Sequence, residues 1–106
     1  MKKLVRNKIP EYIKDKSKIS REFNPNAIRK YNAAKVLEEA KEVSKALLRG
    51  SQEDLMEEIG DLYEVLDKLI RDENVSKAEI QCKKNLKSIK KGTFSRNYVL
   101  EIEWNL

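Results

Sequence analysis

Two long helical patterns that meet at a two-residue break, Gly50-Ser51, constrain the fold of this chain more than any other feature. Before the break, apolar residues between Pro25 and Arg49 recur at spacings of three to five, which is typical of a helix rather than a strand. After the break, a second apolar stripe continues to about Arg71. Because the connection is so short, we expect the two helices to lie antiparallel as neighbours.

The ends of both patterns carry ordinary helix signals. Asn24 is a good N-cap residue, and Pro25 follows it at a position where helices tolerate proline. Gly50 is a natural stop for the first helix. Ser51, with Asp54 three residues later, forms an approximate capping box that predicts the start of the second helix.

The flanking segments complete the predicted architecture. Pro10 favours a short N-terminal helix from Ile9 to Lys16, and a second capping box at Ser76 and Glu79 predicts a third long helix that ends near Ile89. Residues 98–104 alternate between apolar and polar side chains, which indicates a strand. The sequence therefore predicts an all-α protein, an antiparallel helical bundle of three long helices plus a short N-terminal helix, with a short C-terminal β-like tail.

The chain length and composition favour one domain with a modest core. The 106 residues are 40% hydrophobic and 39% charged, without an internal repeat or a low-complexity linker. We therefore expect residues 1–106 to form a single domain. A core this small is commonly completed by a second copy, so a homodimer is expected.

Several classes of function are excluded by the residues that the chain lacks. It has no histidine and one cysteine, Cys82, which argues against zinc sites, Ser-His or Cys-His nucleophile pairs and an internal disulfide. The start of the chain has no apolar stretch of the kind found in signal peptides, and no apolar run is long enough to span a membrane. We therefore expect a cytoplasmic protein.

Two pairs of carboxylates mark the candidate site. Glu39 and Glu42 lie three residues apart in the first long helix, and Glu58 and Asp61 have the same spacing in the second. All four lie beside the apolar stripes, so they can converge where the helices meet. Clustered carboxylates repel one another unless a cation neutralises them, and a hard cation such as Mg²⁺, with Mn²⁺ as an alternative, suits oxygen ligands. Mg²⁺ in turn indicates phosphate chemistry.

The ordinary alternative is that these glutamates are solvated surface charges. Glutamate-rich helices are common, and nearby lysines at Lys35, Lys41 and Lys45 can pair with them. Gly60 argues for a more specific role, because glycine inside a helix costs roughly 1 kcal/mol relative to alanine. Close approach of a ligand or of another helix would explain it.

Four stretches together resemble the MazG-type all-α nucleoside triphosphate pyrophosphohydrolases: KLVRNKIPEYI, KVLEEAKEV, EEIGDLYEVL and KKGTFSRNYVLEI. The signature of that superfamily is ExxE followed, after a spacer, by ExxD. The opening resembles the LVRDKIPE start of a short branch whose members are often labelled phosphoribosyl-ATP pyrophosphohydrolase-like. This chain departs from that branch at Asn7, where aspartate is usual.

The resemblance implies a Mg²⁺-dependent enzyme that hydrolyses a nucleotide between its α and β phosphates, releasing a monophosphate and pyrophosphate. It implies metal ligands at Glu39, Glu42, Glu58 and Asp61. Candidates for positioning the attacking water are Glu38 and Glu57, and candidates for binding the phosphates are Lys84, Asn85, Arg6 and Lys8. Tyr31, Asn32 and Trp104 are candidates for the base pocket. The base, the sugar, the number of metal ions and a contribution from a second subunit stay open, as does the choice between phosphoribosyl-ATP and a nucleoside triphosphate.

Three other interpretations stay open. One is a non-catalytic helical dimer that acts as an interaction module, with the acidic residues as surface charges. Another is a small nucleic-acid-binding protein, suggested by the net charge of +5 and a basic C-terminal helix. Its basic residues are not interleaved with aromatic ones, so nucleic acid is the weaker expectation. The third is a relative of the enzymes that binds nucleotides without hydrolysing them.

Overall fold

Regular structure in this chain is helical. The computed structural model describes residues 1–102. Its helices are α1 (Pro25–Arg49), α2 (Gln52–Asp72) and α3 (Lys77–Lys91), preceded by two 3₁₀ turns, Ile9–Tyr12 and Lys16–Lys18. The all-α prediction is confirmed for this part of the chain. Residues 98–102 form no strand, and the end of the predicted β-like tail, Glu103 and Trp104, lies outside the described residues.

The chain divides into two compact units. The first is Met1–Asn74, which contains both 3₁₀ turns, α1 and α2, and the second begins at Val75 and contains α3. The bundle of all three helices and the single domain therefore stay predictions.

The ends of α1 are fixed by the residues that the sequence indicated. The Asn24 side-chain oxygen accepts hydrogen bonds from the backbone N–H groups of Asn26 and Ala27, at 2.9 and 3.3 Å. These bonds satisfy donors that have no partner inside the helix. At the other end, the Gly50 N–H donates to the Ala46 carbonyl at 2.9 Å. The predicted bounds of α1 are confirmed at both ends.

The connection between α1 and α2 is tight for a steric reason. Gly50 has an extended backbone with φ −92°, so it is not required there for a left-handed conformation. A Cβ atom added to Gly50 would instead lie 3.0 Å from the Cα and the carbonyl oxygen of Ala46 and 3.2 Å from the Cβ of Asp54. Ser51 and Asp54 then form the full reciprocal capping box that begins α2. The hairpin turn is thus specified by one missing side chain and one pair of caps.

A polar network fixes the register of α1 against α2. Asn32 is 4% exposed, and its side-chain amide donates to Asp72 at 2.8 Å. The Lys68 ammonium donates to Asn32 at 2.9 Å and to Asp72 at 2.6 Å. Since Asn32 lies early in α1 and Asp72 ends α2, these bonds confirm the antiparallel pairing. A buried amide would be costly without such partners, so the network favours a single register.

The predicted N-terminal helix from Ile9 to Lys16 is wrong in its extent. The chain forms a 3₁₀ turn at Ile9–Tyr12, leaves it at Ile13, and forms another at Lys16–Lys18. The second turn begins where the Asp15 side chain accepts a hydrogen bond from the Ser17 N–H at 3.1 Å. Such a local side-chain bond competes with continuation of a helix, so the segment is divided into two short turns.

The second unit contains α3 and its caps. The Ser76 hydroxyl accepts from the Glu79 N–H at 3.2 Å, which is the serine half of the predicted capping box. The helix continues to Lys91, two residues beyond the predicted end. Gly92 follows with φ +83°, a conformation that glycine adopts without strain.

Few residues of the described chain are buried. Ala46 and Asn32 are the buried residues among positions 1–102. Several large apolar side chains on the outer surfaces of α1 and α2 are instead exposed, including Leu37 (65%), Leu47 (67%) and Tyr63 (64%). Within the same residues, no helix combines the length and the apolar character that crossing a membrane requires.

Candidate functional site

Three of the four predicted metal-ligating carboxylates converge between α1 and α2. Glu39 on α1 and Glu58 and Asp61 on α2 each offer one oxygen, and these oxygens lie within 4.8 Å of one another. All three residues are half-buried. Because the helices are antiparallel, the ExxE and ExxD segments lie opposite each other, as the sequence predicted. The donor set is entirely carboxylate oxygen, which suits a hard divalent cation such as Mg²⁺.

Glu39 is more enclosed than Glu42 and Asp61. Its side chain is 12% exposed, and the Lys35 ammonium lies 3.6 Å from one of its oxygens. The Lys35 side chain is itself 18% exposed and also reaches Glu38 at 3.3 Å. An i,i+4 partner of this kind partly neutralises a carboxylate that α2 shields from water. Lys35 therefore holds the α1 side of the cluster in place.

Glu58 lies in the most negative surroundings of the site. Desolvation raises the pKa of its carboxyl above the ordinary value of 4.5, and the charges of Asp61, Glu42, Glu39 and Glu57 raise it further. These neighbours disfavour the ionised form of Glu58. A bound cation would reverse that effect, since it favours every carboxylate in its ionised form.

The N-terminal segment brings two cations to the edge of the cluster. The Arg6 guanidinium lies 2.7 Å from Oδ1 of Asp61, and the Lys3 ammonium lies 3.1 Å from Oε1 of Glu38. The hydrogen bonds from Lys3 and Lys35, together with their charges, lower the pKa of Glu38. The segment before the first 3₁₀ turn is thus joined to both helices of the hairpin, by one ion pair each.

Glu42 and Glu57 lie next to the three converging carboxylates without joining them. Glu42 is on the turn of α1 after Glu39, and its carboxylate lies 3.6 Å from the Lys45 ammonium. Glu57 is exposed, and its charge contributes to the raised pKa of Glu58. Both are near enough to act on the cluster through their charges.

The predicted phosphate-binding residues are divided between the two units. Arg6 lies in the first unit, in contact with the carboxylates. Lys8 is exposed at the start of the first 3₁₀ turn, where its carbonyl accepts from the Glu11 N–H. Lys84 and Asn85 are exposed on α3 in the second unit, where Asn85 accepts a hydrogen bond from Gln81 at 2.9 Å. The roles of Lys84 and Asn85 stay predictions.

Sequence reasoning missed Lys3 and gave Asn32 a different role. Lys3 and Glu38 are 35 residues apart, so no local pattern connects them. Asn32 was a candidate for the base pocket, but its amide is enclosed and bonded to Lys68 and Asp72. Trp104, another candidate for that pocket, lies outside the described residues. We therefore leave Asn32 out of the candidate site.

Comparisons of this chain with models of protein families, with curated proteins and with solved structures find no match.

Proposed function

We propose that this protein is a Mg²⁺-dependent nucleotide pyrophosphohydrolase, which cleaves its substrate between the α and β phosphates. The observation that supports this proposal is the convergence of Glu39, Glu58 and Asp61 from two facing helices to within 4.8 Å. If these carboxylates were only solvated surface charges, nothing would require three half-buried negative groups to face one another between two helices. The resemblance of four sequence stretches to one enzyme superfamily points to the same chemistry.

The residues fit the metal that the proposal requires. Glu39, Glu58 and Asp61 would hold Mg²⁺, and Glu42 is the nearest additional ligand along α1. Desolvation, and after it the charges of the neighbouring carboxylates, raises the pKa of Glu58, and a bound cation would offset both effects. When bound, Mg²⁺ would neutralise phosphate oxygens and polarise the attacking water.

Glu38 and Glu57 differ in how well each carboxylate could position the attacking water. Lys3 and Lys35 hold Glu38 and lower its pKa, so it accepts a proton poorly. Glu57 is exposed beside Glu58, and no such pair of cations restrains its carboxylate among the contacts of the described residues. We therefore assign the water-positioning role to Glu57. Glu38 instead fixes Lys3 and Lys35 at the edge of the site.

The substrate is a nucleotide whose phosphates bind the metal and the chain's basic residues. Arg6 is already in contact with Asp61, and Lys8, Lys84 and Asn85 are the further candidates for the phosphate tail. A role in removing non-standard nucleotides would fit, and phosphoribosyl-ATP is an alternative substrate. We place the protein in the cytoplasm, since its single cysteine suits a reducing compartment. We expect it to act as a homodimer.

Pyrophosphate release tests the proposal directly. A panel of ribonucleoside and deoxyribonucleoside triphosphates, with phosphoribosyl-ATP, would be assayed with and without Mg²⁺. Activity should require the metal and should fall at least a hundredfold in Glu39→Gln and in Asp61→Asn, since each removes a charged ligand. Glu64→Gln, at an exposed position of α2, is the matched control and should retain activity. Absence of release from every substrate by a folded protein would favour a binding module or a relative without catalysis.

A further inference from the structure

The contact between Arg6 and Asp61 joins the N-terminal segment to one of the three converging carboxylates. The two groups are 2.7 Å apart, although 55 residues separate them along the chain. Lys3, three residues earlier, reaches α1 at Glu38 with a distance of 3.1 Å. Of these two carboxylates, Asp61 belongs to the converging triad and Glu38 does not. Arg6 is therefore the cation of the segment that acts on the triad directly.

We propose that Arg6 couples metal binding to phosphate binding, so that the site takes a divalent cation tightly only together with a polyphosphate. The inference rests on the proposed function. With no phosphate present, the guanidinium already occupies one oxygen of Asp61 and repels a second cation at short range. Arg6 in this way keeps the three carboxylates from binding a metal ion strongly when no phosphate is bound with it.

A bound polyphosphate changes the effect of Arg6 on the free energy of metal binding from unfavourable to favourable. Its oxygens bring several negative charges to the metal, and a guanidinium a few ångströms away is then attracted rather than repelled. Arg6 has the freedom to turn, because 60% of its side chain is exposed. Its planar fork of donors can leave Asp61 and bind phosphate oxygens in two places at once. One residue thus weakens the binding of metal alone and strengthens the binding of metal with phosphate.

Two titrations test this coupling, and neither depends on turnover. The first measures the binding of Mn²⁺ alone, from the electron paramagnetic resonance signal of the free ion. The second measures the binding of inorganic tripolyphosphate at saturating Mg²⁺, by calorimetry, which avoids any choice of base. Arg6→Gln should tighten the binding of Mn²⁺ alone by roughly threefold, because one positive charge is removed at close range. The same variant should weaken the binding of tripolyphosphate by roughly threefold or more, because that charge no longer attracts the phosphates. Opposite changes in the two titrations are the expected result.

Two further variants separate the contact from the net charge. Lys3→Gln removes the same charge from the same segment but ends a pair with Glu38, so its effects on both titrations should be clearly smaller. Arg6→Lys keeps the charge and should bind Mn²⁺ alone as the wild type does. Equal effects of Arg6→Gln and Lys3→Gln would overturn the inference, and so would tighter binding of both ligands in Arg6→Gln. Failure of every variant to bind both Mn²⁺ alone and tripolyphosphate with Mg²⁺ would overturn the proposed function and the inference together. Mn²⁺ binding unaffected by Arg6→Gln would overturn the inference alone.

Discussion

The pKa values of two glutamates, each next to another glutamate in the sequence, are shifted in opposite directions by their surroundings. Hydrogen bonds from Lys3 and Lys35 lower the pKa of Glu38, whereas desolvation and four carboxylates raise the pKa of Glu58. Because both residues are glutamates, the difference in the direction of their pKa shifts arises from the surroundings that the fold supplies. Glu58 is consequently a position at which site chemistry and stability of the fold oppose each other.

Glu58→Gln should stabilise the protein near neutral pH when divalent metal is absent. A carboxyl whose folded pKa is raised binds its proton more tightly in the folded state, so its ionised form destabilises the fold above that pKa. The advantage of the variant should therefore shrink as the pH falls through the raised pKa towards 4.5. Urea unfolding at several pH values in EDTA measures this.

Addition of Mg²⁺ should make the wild type more stable than Glu58→Gln, which is the reverse of the order expected in EDTA. The wild type should gain melting temperature with the metal, and Glu58→Gln should gain less, since only the folded state offers the site. Glu57→Gln, at the exposed neighbouring position, is the control and should change stability less in EDTA. A Glu58→Gln protein that is less stable than the wild type in EDTA would contradict the crowding of negative charge described above.

Asp72→Asn should destabilise the hairpin in a manner that disappears in acid. Hydrogen bonds from Lys68 and Asn32 lower the pKa of Asp72 below its ordinary value of 3.8. A lowered pKa contributes stability that is present above the unfolded value and is lost as the pH falls through the folded value. Because Lys68 and Asp72 are each about a third exposed, we expect a loss of about 0.5–1 kcal/mol at pH 7.

Denaturant titrations at pH 7 and pH 3 measure the contribution of Asp72. The wild type and Asp72→Asn should differ at pH 7 and approach each other at pH 3. Glu64→Gln, an exposed carboxylate of α2, should leave stability nearly unchanged at both values. A difference between the wild type and Asp72→Asn that grows on acidification would show that the charge of Asp72 is not what matters.

At the scale of elements, local signals predicted the helices and failed for contacts between distant segments. Asn24, Gly50 and the Ser51 capping box determine where α1 and α2 begin and end, and each acts within a few residues of the end that it fixes. The first 3₁₀ turn is shorter than the helix that the sequence predicts, because the Asp15 side chain accepts a competing hydrogen bond from the Ser17 N–H. The convergence of the carboxylates could be predicted because the short connection dictates antiparallel helices. The pairing of Arg6 with Asp61 could not, since it joins segments 55 residues apart.

Alanine substitutions at two glycines of the hairpin should have opposite effects. Gly50→Ala places a Cβ 3.0 Å from the backbone of Ala46, so the turn must shift, at a cost of roughly 1–3 kcal/mol. Gly60 lies inside α2, and a Cβ there would have, apart from its chain neighbours and the adjacent backbone of α2, no heavy atom of the described residues within 4 Å. Gly60→Ala should therefore gain up to about 1 kcal/mol from helix propensity.

Urea unfolding of the two glycine variants, compared with the wild type at one protein concentration, measures both effects. The structure leaves open space beside Gly60 in the first unit, so approach of another helix of that unit does not explain the glycine. A loss of stability in Gly60→Ala would contradict the open space beside this position and would favour close approach of a group from outside the first unit. A neutral Gly50→Ala would show that the turn relaxes easily.

At the scale of the whole molecule, much apolar surface is left uncovered. Leu37 and Leu47 are 65% and 67% exposed on α1, and Met56 and Tyr63 are 60% and 64% exposed on α2. This many large exposed apolar side chains on two neighbouring helices favours a face that packs against another protein. A second copy of the chain would cover it and would enlarge a core in which Ala46 is the buried apolar residue among positions 1–102.

Charge placed on this surface should separate the copies. The double variant Leu37→Lys and Leu47→Lys should sediment with the mass of one chain at concentrations where the wild type has the mass of two. Its melting temperature should no longer rise with protein concentration, because association stabilises a folded dimer by mass action. Glu64→Lys, which adds a lysine at an exposed polar position of α2, should remain dimeric. A wild type of single-chain mass at all concentrations would overturn the expected homodimer.

The polar network at Asn32 and the tight turn at Gly50 also restrict how such a chain can change during evolution. Glu39 lies between them on α1, seven residues after Asn32, which corresponds to about 10 Å along the helix. An insertion of one residue between Asn32 and Glu39 would rotate both Glu39 and the turn at Gly50 by about 100° relative to Asn32, so the polar network and the present position of Glu39 opposite Glu58 could not both be kept. Descendants of this sequence should therefore vary in length before Asn24 or after Asp72, and inside the hairpin only through matched changes in both helices.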